Sequence, residues 1–173
     1  MLEIVGTGII SREPGRGAYM PVVTPLPNGM LIASQHVGRG LGSPDNHIEV
    51  LRSDDGGETW VNQGSIHHES PTRDGWSYRA PAITPVPDGR LMMKASRFEK
   101  KASTFNFETE SSALCELLLF WSSDLGATWS NPHVVPVDLA RDKYNWNGAG
   151  TILQLSPERW MYPLETWKPE GLI

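Results

Sequence analysis

Eight side chains in this sequence have chemistry that could serve one polar site: Arg16, Tyr19, Arg39, Asp45, Arg79, Arg97, Asn147 and Glu165. A guanidinium presents a planar fork of N–H donors that matches a carboxylate. A carboxyl group in a walled cleft can have its pKa raised enough to give a proton to a leaving oxygen. Glu165, near the end of an apolar segment, could accept hydrogen bonds from hydroxyl groups. These residues are scattered along most of the chain, so they form a site only if the fold gathers them.

The elements that would gather them repeat. Ser53-Asp54-Asp55-Gly56-Gly57-Glu58-Thr59-Trp60 returns as Ser122-Ser123-Asp124-Leu125-Gly126-Ala127-Thr128-Trp129, with Ser, Asp, Gly, Thr and Trp at the same offsets. Each copy follows an apolar run, Ile48 to Leu51 and Leu117 to Trp121, and reads as a strand ending in a tight turn. The Asp carboxylate and Ser hydroxyl bond the turn backbone, Gly supplies a positive φ, and Trp plugs the layer between sheets. Upstream, Pro21 to Leu31 aligns with Pro81 to Leu91 at an offset of 60 residues, with Asn28-Gly29 and Asp88-Gly89 as hairpin turns. A degraded third copy runs from Gly150 to Trp160, 69 residues after the second. Such self-similarity marks stacked units of one kind. Each unit reads as four strands, the first near 19–24, 30–36, 47–52 and from Thr59. The third holds only two, near 150–154 and 159–165. The loop from Arg97 to Leu114 is longer and polar, and long loops on a β scaffold are where function tends to sit.

The twice-occurring octapeptide is an Asp box, and the chain resembles the sialidase-like (bacterial neuraminidase repeat) superfamily of β-propellers. The resemblance implies an all-β propeller, six-bladed when complete. Residues 1–173 would be one partial domain of about two and a half blades, near 15–65, 75–135 and 145–173. An open propeller leaves a sheet face and an edge uncovered, so further blades or a second chain are expected to cover it. Blade topology puts both Asp boxes on one rim and the eight polar residues on the other, which leaves Asp55 and Asp124 to turn chemistry. Sialidases carry a Phe/Tyr-Arg-Ile-Pro motif whose Arg binds the substrate carboxylate. Tyr78-Arg79-Ala80-Pro81 is similar to it but lies in the second repeat, and the first repeat has Tyr19 at the matching position. Arg79 therefore reads either as an anion-binding residue or as an Arg salt-bridged at a strand start. The family also has an acid/base Asp in the loop that Asp45 occupies, although Pro44-Asp45-Asn46 is equally a turn sequence. Its Tyr nucleophile and activating Glu match nothing before Ile173. The resemblance implies an exo-glycoside hydrolase acting on sialic-acid-type or related glycans, with Asp45 as acid/base. Arg79, Arg16, Arg39, Arg97 and Glu165 would then bind substrate. The other reading is a non-catalytic carbohydrate- or protein-binding propeller.

Other features exclude more than they assign. The chain has 173 residues, 39% hydrophobic and 20% charged, with net charge −5, and lacks the basic balance of a nucleic-acid binder. No apolar run reaches the ~20 residues that would span a bilayer. No signal peptide is visible, so the cytoplasm is the default expectation. His67-His68-Glu69 has poor metal-ligand spacing, and neither a metal nor a cofactor is expected. Cys115, the lone cysteine, reads as a small buried hydrophobe. Trp76, Trp146 and Trp167 could stack on sugar rings, with core packing the alternative.

Overall fold

The computed structural model describes residues 3–4, 6–66, 75–101 and 103–171, so His67-His68-Glu69 lies outside the described residues. No helix occurs among them, and the strands build four-stranded sheets. The first sheet is a meander of β1 (Gly17–Pro25), β2 (Leu31–Gly38), β3 (His47–Ser53) and β4 (Val61–Ser65). The second repeats it with β5 (Trp76–Pro85), β6 (Leu91–Glu99), β9 (Cys115–Ser122) and β10 (His133–Val135). All pairings in both are antiparallel.

The repeat holds at the level of single hydrogen bonds. In the hairpin turns the Leu26 N–H donates to the Met30 carbonyl at 2.8 Å, and the Val86 N–H to the Arg90 carbonyl at 2.9 Å. Gly29 and Gly89 take φ of 85° and 87° there, a region that other residues enter at a cost. In the octapeptide turns the Gly57 and Gly126 N–H groups donate to Ser53 Oγ and Ser122 Oγ, both at 2.8 Å. Thr59 N–H donates to Asp55 Oδ1 and Thr128 N–H to Asp124 Oδ1, both at 2.9 Å. The indole N–H of Trp60 caps the Gly57 carbonyl, and that of Trp129 caps the Gly126 carbonyl. Asp55 and Asp124 are thus spent on turn geometry. Near the opposite end, Met20 and Ala80 occupy φ of 50° and 49°, each just before a proline and each at a register shift. A bulge of this kind kinks the strand and re-aims its side chains.

The two sheets pack face to face. Ile32, Ile48 and Val50 of the first meet Ile83, Met93, Leu118 and Phe120 of the second in one buried cluster, and Trp129 packs against it. A second cluster joins Val86 and Met92 to Ile152, flanked by Trp121, Trp160 and Tyr162.

The third unit departs from the two expected strands. It forms β11 (Asn145–Gly148) and β14 (Leu164–Pro169), with a separate hairpin of β12 (Leu153–Ser156) and β13 (Arg159–Met161). The long loop is also more ordered than its polarity suggests. β6 continues through Arg97 to Glu99, and the loop folds its own hairpin of β7 (Phe105–Asn106) and β8 (Ser111–Ser112). β8 then pairs with β14, in parallel, joining the loop to the third sheet.

Trp60 is half-buried and lies outside the central cluster, whereas Trp129 packs on it. Trp129→Ala is therefore expected to cost about 3 kcal/mol and Trp60→Ala clearly less. Urea titrations of the two variants check this, and equal midpoint shifts would contradict the packing described.

Candidate functional site

Register separates two rims. Leu31 pairs with Ser53 at the end that carries the hairpin and octapeptide turns, and Val37 pairs with His47 at the other. The second sheet has the same sense, with Leu91 opposite Ser122 and Phe98 opposite Cys115. The loop of residues 39–46 therefore stands on the rim away from Asp55 and Asp124.

That loop is built around Asn46, which is fully buried. Its amide Nδ2 donates to the carbonyls of Gly40, Leu41 and Ser43 at 3.3, 3.1 and 3.0 Å. Gly38 is required for this approach, because a Cβ there would stand 1.9 Å from Asn46 Oδ1. Other elements then clamp the loop from outside. The Ser43 carbonyl accepts from Arg79 at 2.9 Å and from Ser77 Oγ at 3.0 Å, and the Gly42 carbonyl accepts from Thr104 Oγ1 at 3.1 Å.

Asp45 sits at the loop's end with its side chain 13% exposed. Ser43 Oγ and the Arg39 N–H donate to its Oδ1, and the Arg39 Nε lies 3.2 Å from Oδ2. Arg16 brings NH1 to 3.6 Å of Oδ2 while its Nε holds Glu13 at 3.1 Å. Burial alone pushes the Asp45 carboxyl up. The Ser43 and Arg39 hydrogen bonds and the two guanidinium charges outweigh it and hold the group below its ordinary value. The raised pKa expected of a general acid is thus not present in the free protein.

Arg79 is 3% exposed. Beyond Ser43, its guanidinium lies 5.1 Å from the Phe98 ring centre and 5.3 Å from that of Phe105. Its Nε and NH1 are buried without a hydrogen-bond partner, and no carboxylate pairs with it among the described residues. Burial draws its pKa down to about 10. Buried and without a carboxylate partner among the described residues, it is neither open to an anion nor salt-bridged at the strand start. It is an internal strut beneath the loop. His36, which sequence reasoning passed over, lies beside it: fully buried, stacked on Tyr19 at 5.4 Å, with Nδ1 accepting from the Ala80 N–H.

The other candidates go elsewhere. Arg97 is directly opposite Glu116 across β6 and β9 and is ion-paired to it, with its guanidinium 4.4 Å from the Trp76 ring centre. Glu165 accepts from Asn147 Nδ2 and Trp167 Nε1, both at 3.1 Å. Trp146 is buried beneath Arg141, so core packing is its role. Glu13, His47 and Glu49 bring possible metal-ligating atoms within 4.8 Å of one another. Glu13 is engaged by Arg16, and Glu49 accepts from Gln35 and Asn62. The long-loop aromatics Phe105 and Phe107 were also missed, their signal being two aromatics in an otherwise polar segment.

No protein-family model matches the chain. Among solved structures, a protein of unknown function from Dyadobacter fermentans superposes with a TM-score of 0.58 at 18% identity, over 80% of this chain and 41% of that one. An α-L-arabinanase from Penicillium chrysogenum, complexed with arabinobiose, gives 0.46 at 24% identity, over 65% of this chain and 30% of that one. The likeness to the Dyadobacter protein is one of fold. The chain spans less than half the length of either structure.

The buried imidazole gives a pH prediction. His36 is held neutral, first by burial and then by the Arg79 charge, with its pKa lowered from 6.5 to about 3. Between those values the unfolded chain binds the extra proton. Stability is therefore full above pH 6.5 and falls as pH drops toward 3, by about 1.4 kcal/mol per pH unit. Urea midpoints measured from pH 7.5 to 4.5 should show this slope. His36→Phe, although less stable at pH 7.5, should lose much of it.

Proposed function

We propose that this chain is part of a sialidase-like Asp-box β-propeller, and that the rim opposite its Asp boxes holds a glycan. The observation that supports this is the convergence on that rim of Arg16, just before β1, with Arg39 and Asp45 of the loop braced from below by Arg79. Arg39 has 73% of its side chain exposed and, among the described residues, its side chain is tied to Asp45 alone, so a ligand carboxylate can compete for it. Arg16, 30% exposed, stands on the same oxygen.

The electrostatics favour one route to glycosidase chemistry. A ligand carboxylate that drew both guanidinium groups off Asp45 would remove two of the influences that keep it ionised. Burial and the ligand's own negative charge would then push its pKa upward, toward that of a proton donor, against the Ser43 and Arg39 N–H hydrogen bonds that remain. The complete protein would in this way arm its acid only when an anionic sugar is bound. The non-catalytic reading has its own support in Tyr19, which stands stacked on His36 where the family's first repeat has an Arg.

The expected result is that 3′-sialyllactose binds the purified chain and that Arg39→Ala weakens binding about tenfold, as loss of a charge-assisted hydrogen bond should. Asp45→Asn should bind at least as well as wild type, because it removes the competing carboxylate. Calorimetric titration reads both. No heat at millimolar sugar, or indifference to Arg39→Ala, would sink the proposal. A fluorogenic sialoside should not be turned over by this chain, which has no residues matching the family's nucleophile and its activating Glu.

A further inference from the structure

On the same rim, at the third sheet, a cleft of about 550 Å³ opens between β14, the turn after β7 and the turn leading into β11. That volume lies in the ~300–1,000 Å³ range of small-molecule sites. Its walls are aromatic. Phe107 is 72% exposed and Tyr144 43% exposed, so both rings stand open at the cleft. Trp167 is held between them and the interior, 4.9 Å from Phe105 and 5.9 Å from Phe107, whose ring meets it edge-on at 74°.

The polar groups are equally fixed. Trp167 Nε1 and Asn147 Nδ2 both donate to Oε1 of Glu165, which sets the indole and the carboxylate in one geometry and leaves Oε2 outside both bonds. Lys143 lines the cleft and makes no ion pair among the described residues. Lys168 is paired with Glu110 at 3.5 Å beside it. An apolar protein-docking patch would be ringed by charge. Here the charged groups line the same small cleft as the rings.

We infer that this cleft is a second sugar-binding site, in which a sugar ring lays its C–H face on Phe107, Tyr144 and Trp167. Its hydroxyls reach Glu165 Oε2 and the Lys143 ammonium. Rings that carry both an apolar face and equatorial hydroxyls fit such a surface, since the aromatic faces exclude water while the carboxylate and amine meet the polar edge. The site shares only its ligand class with the proposed function, because none of its residues touches Asp45, Arg16 or Arg39.

The test is titration of intrinsic tryptophan fluorescence of the whole chain with lactose, xylotriose and 3′-sialyllactose. At least one sugar should change the emission, and Trp167→Phe should abolish that change. Phe107→Ala and Tyr144→Ala should each weaken binding about five- to tenfold. Both rings are exposed enough that circular dichroism should match wild type. Asp45→Asn and Arg39→Ala should leave the responses to lactose and xylotriose, which carry no carboxylate, unchanged. The inference fails if no sugar alters the emission, or if the response survives both Phe107→Ala and Tyr144→Ala. Binding that is lost in Arg39→Ala but kept in the aromatic variants would uphold the Asp45 rim and refute this cleft.

Discussion

A guanidinium carried out of water is costly, by several kcal/mol even after the protein relaxes, and must be compensated where it lies. Arg79 meets that demand with the Ser43 carbonyl and the faces of Phe98 and Phe105, and this determines much of the surrounding structure. The Ser43 carbonyl belongs to the loop that orients Asp45, and Phe105 belongs to the hairpin that backs Trp167. One buried cation thus ties β5 to the loop of the first sheet and to the aromatic corner of the third. A positive charge held beneath the rim adds to the potential that an approaching anion meets.

The division of labour between the two rims follows from where each repeat stores its special backbone. On one rim Gly56, Gly57 and Gly126 supply the left-handed turns, and Leu125 takes a φ of 58° where the first copy has glycine. The Ser, Asp, Thr and Trp side chains that recur in both copies all bond within their own turn. On the other rim Met20 and Ala80 each take a positive φ just before a proline, a position that normally disfavours such a conformation, and the kinks there re-aim the neighbouring Tyr19 and Arg79. Matched strain at matched sites in two sheets marks the rim at which side-chain direction matters most.

Much of this was legible in the sequence because it is local. The octapeptide turns, the hairpin turns and the order of four strands per unit depend on residues close in the chain, and repetition made them visible. The position of Asp45 away from the turn carboxylates followed from strand direction alone. What escaped was set by tertiary register. Arg97 meets Glu116 because β6 continues two residues beyond the expected start of the loop, and β8 finds β14 because the long loop folds back. The burial of Arg79 was equally hidden, since Tyr-Arg-Ala-Pro reads the same whether a cavity or two phenylalanines lie above it. The direction of the Asp45 shift depends on Ser43 and Arg16, which only the folded loop brings to the carboxylate.

The charge balance at Asp45 constrains any ligand that binds there. Arg16 and Arg39 face Asp45 and Glu13, so the free rim is a closed set of two cations and two anions rather than an open basic patch. A ligand anion must displace a carboxylate that is already well placed, and gains only the difference between the two interactions. Simple anions gain little from that exchange. Under the proposed function a sugar acid would gain more, because hydroxyls and a ring can add contacts that Asp45 does not make, and recognition would then come from the sugar as well as the charge. That is the physical reason to expect selectivity from a rim whose net charge is close to zero.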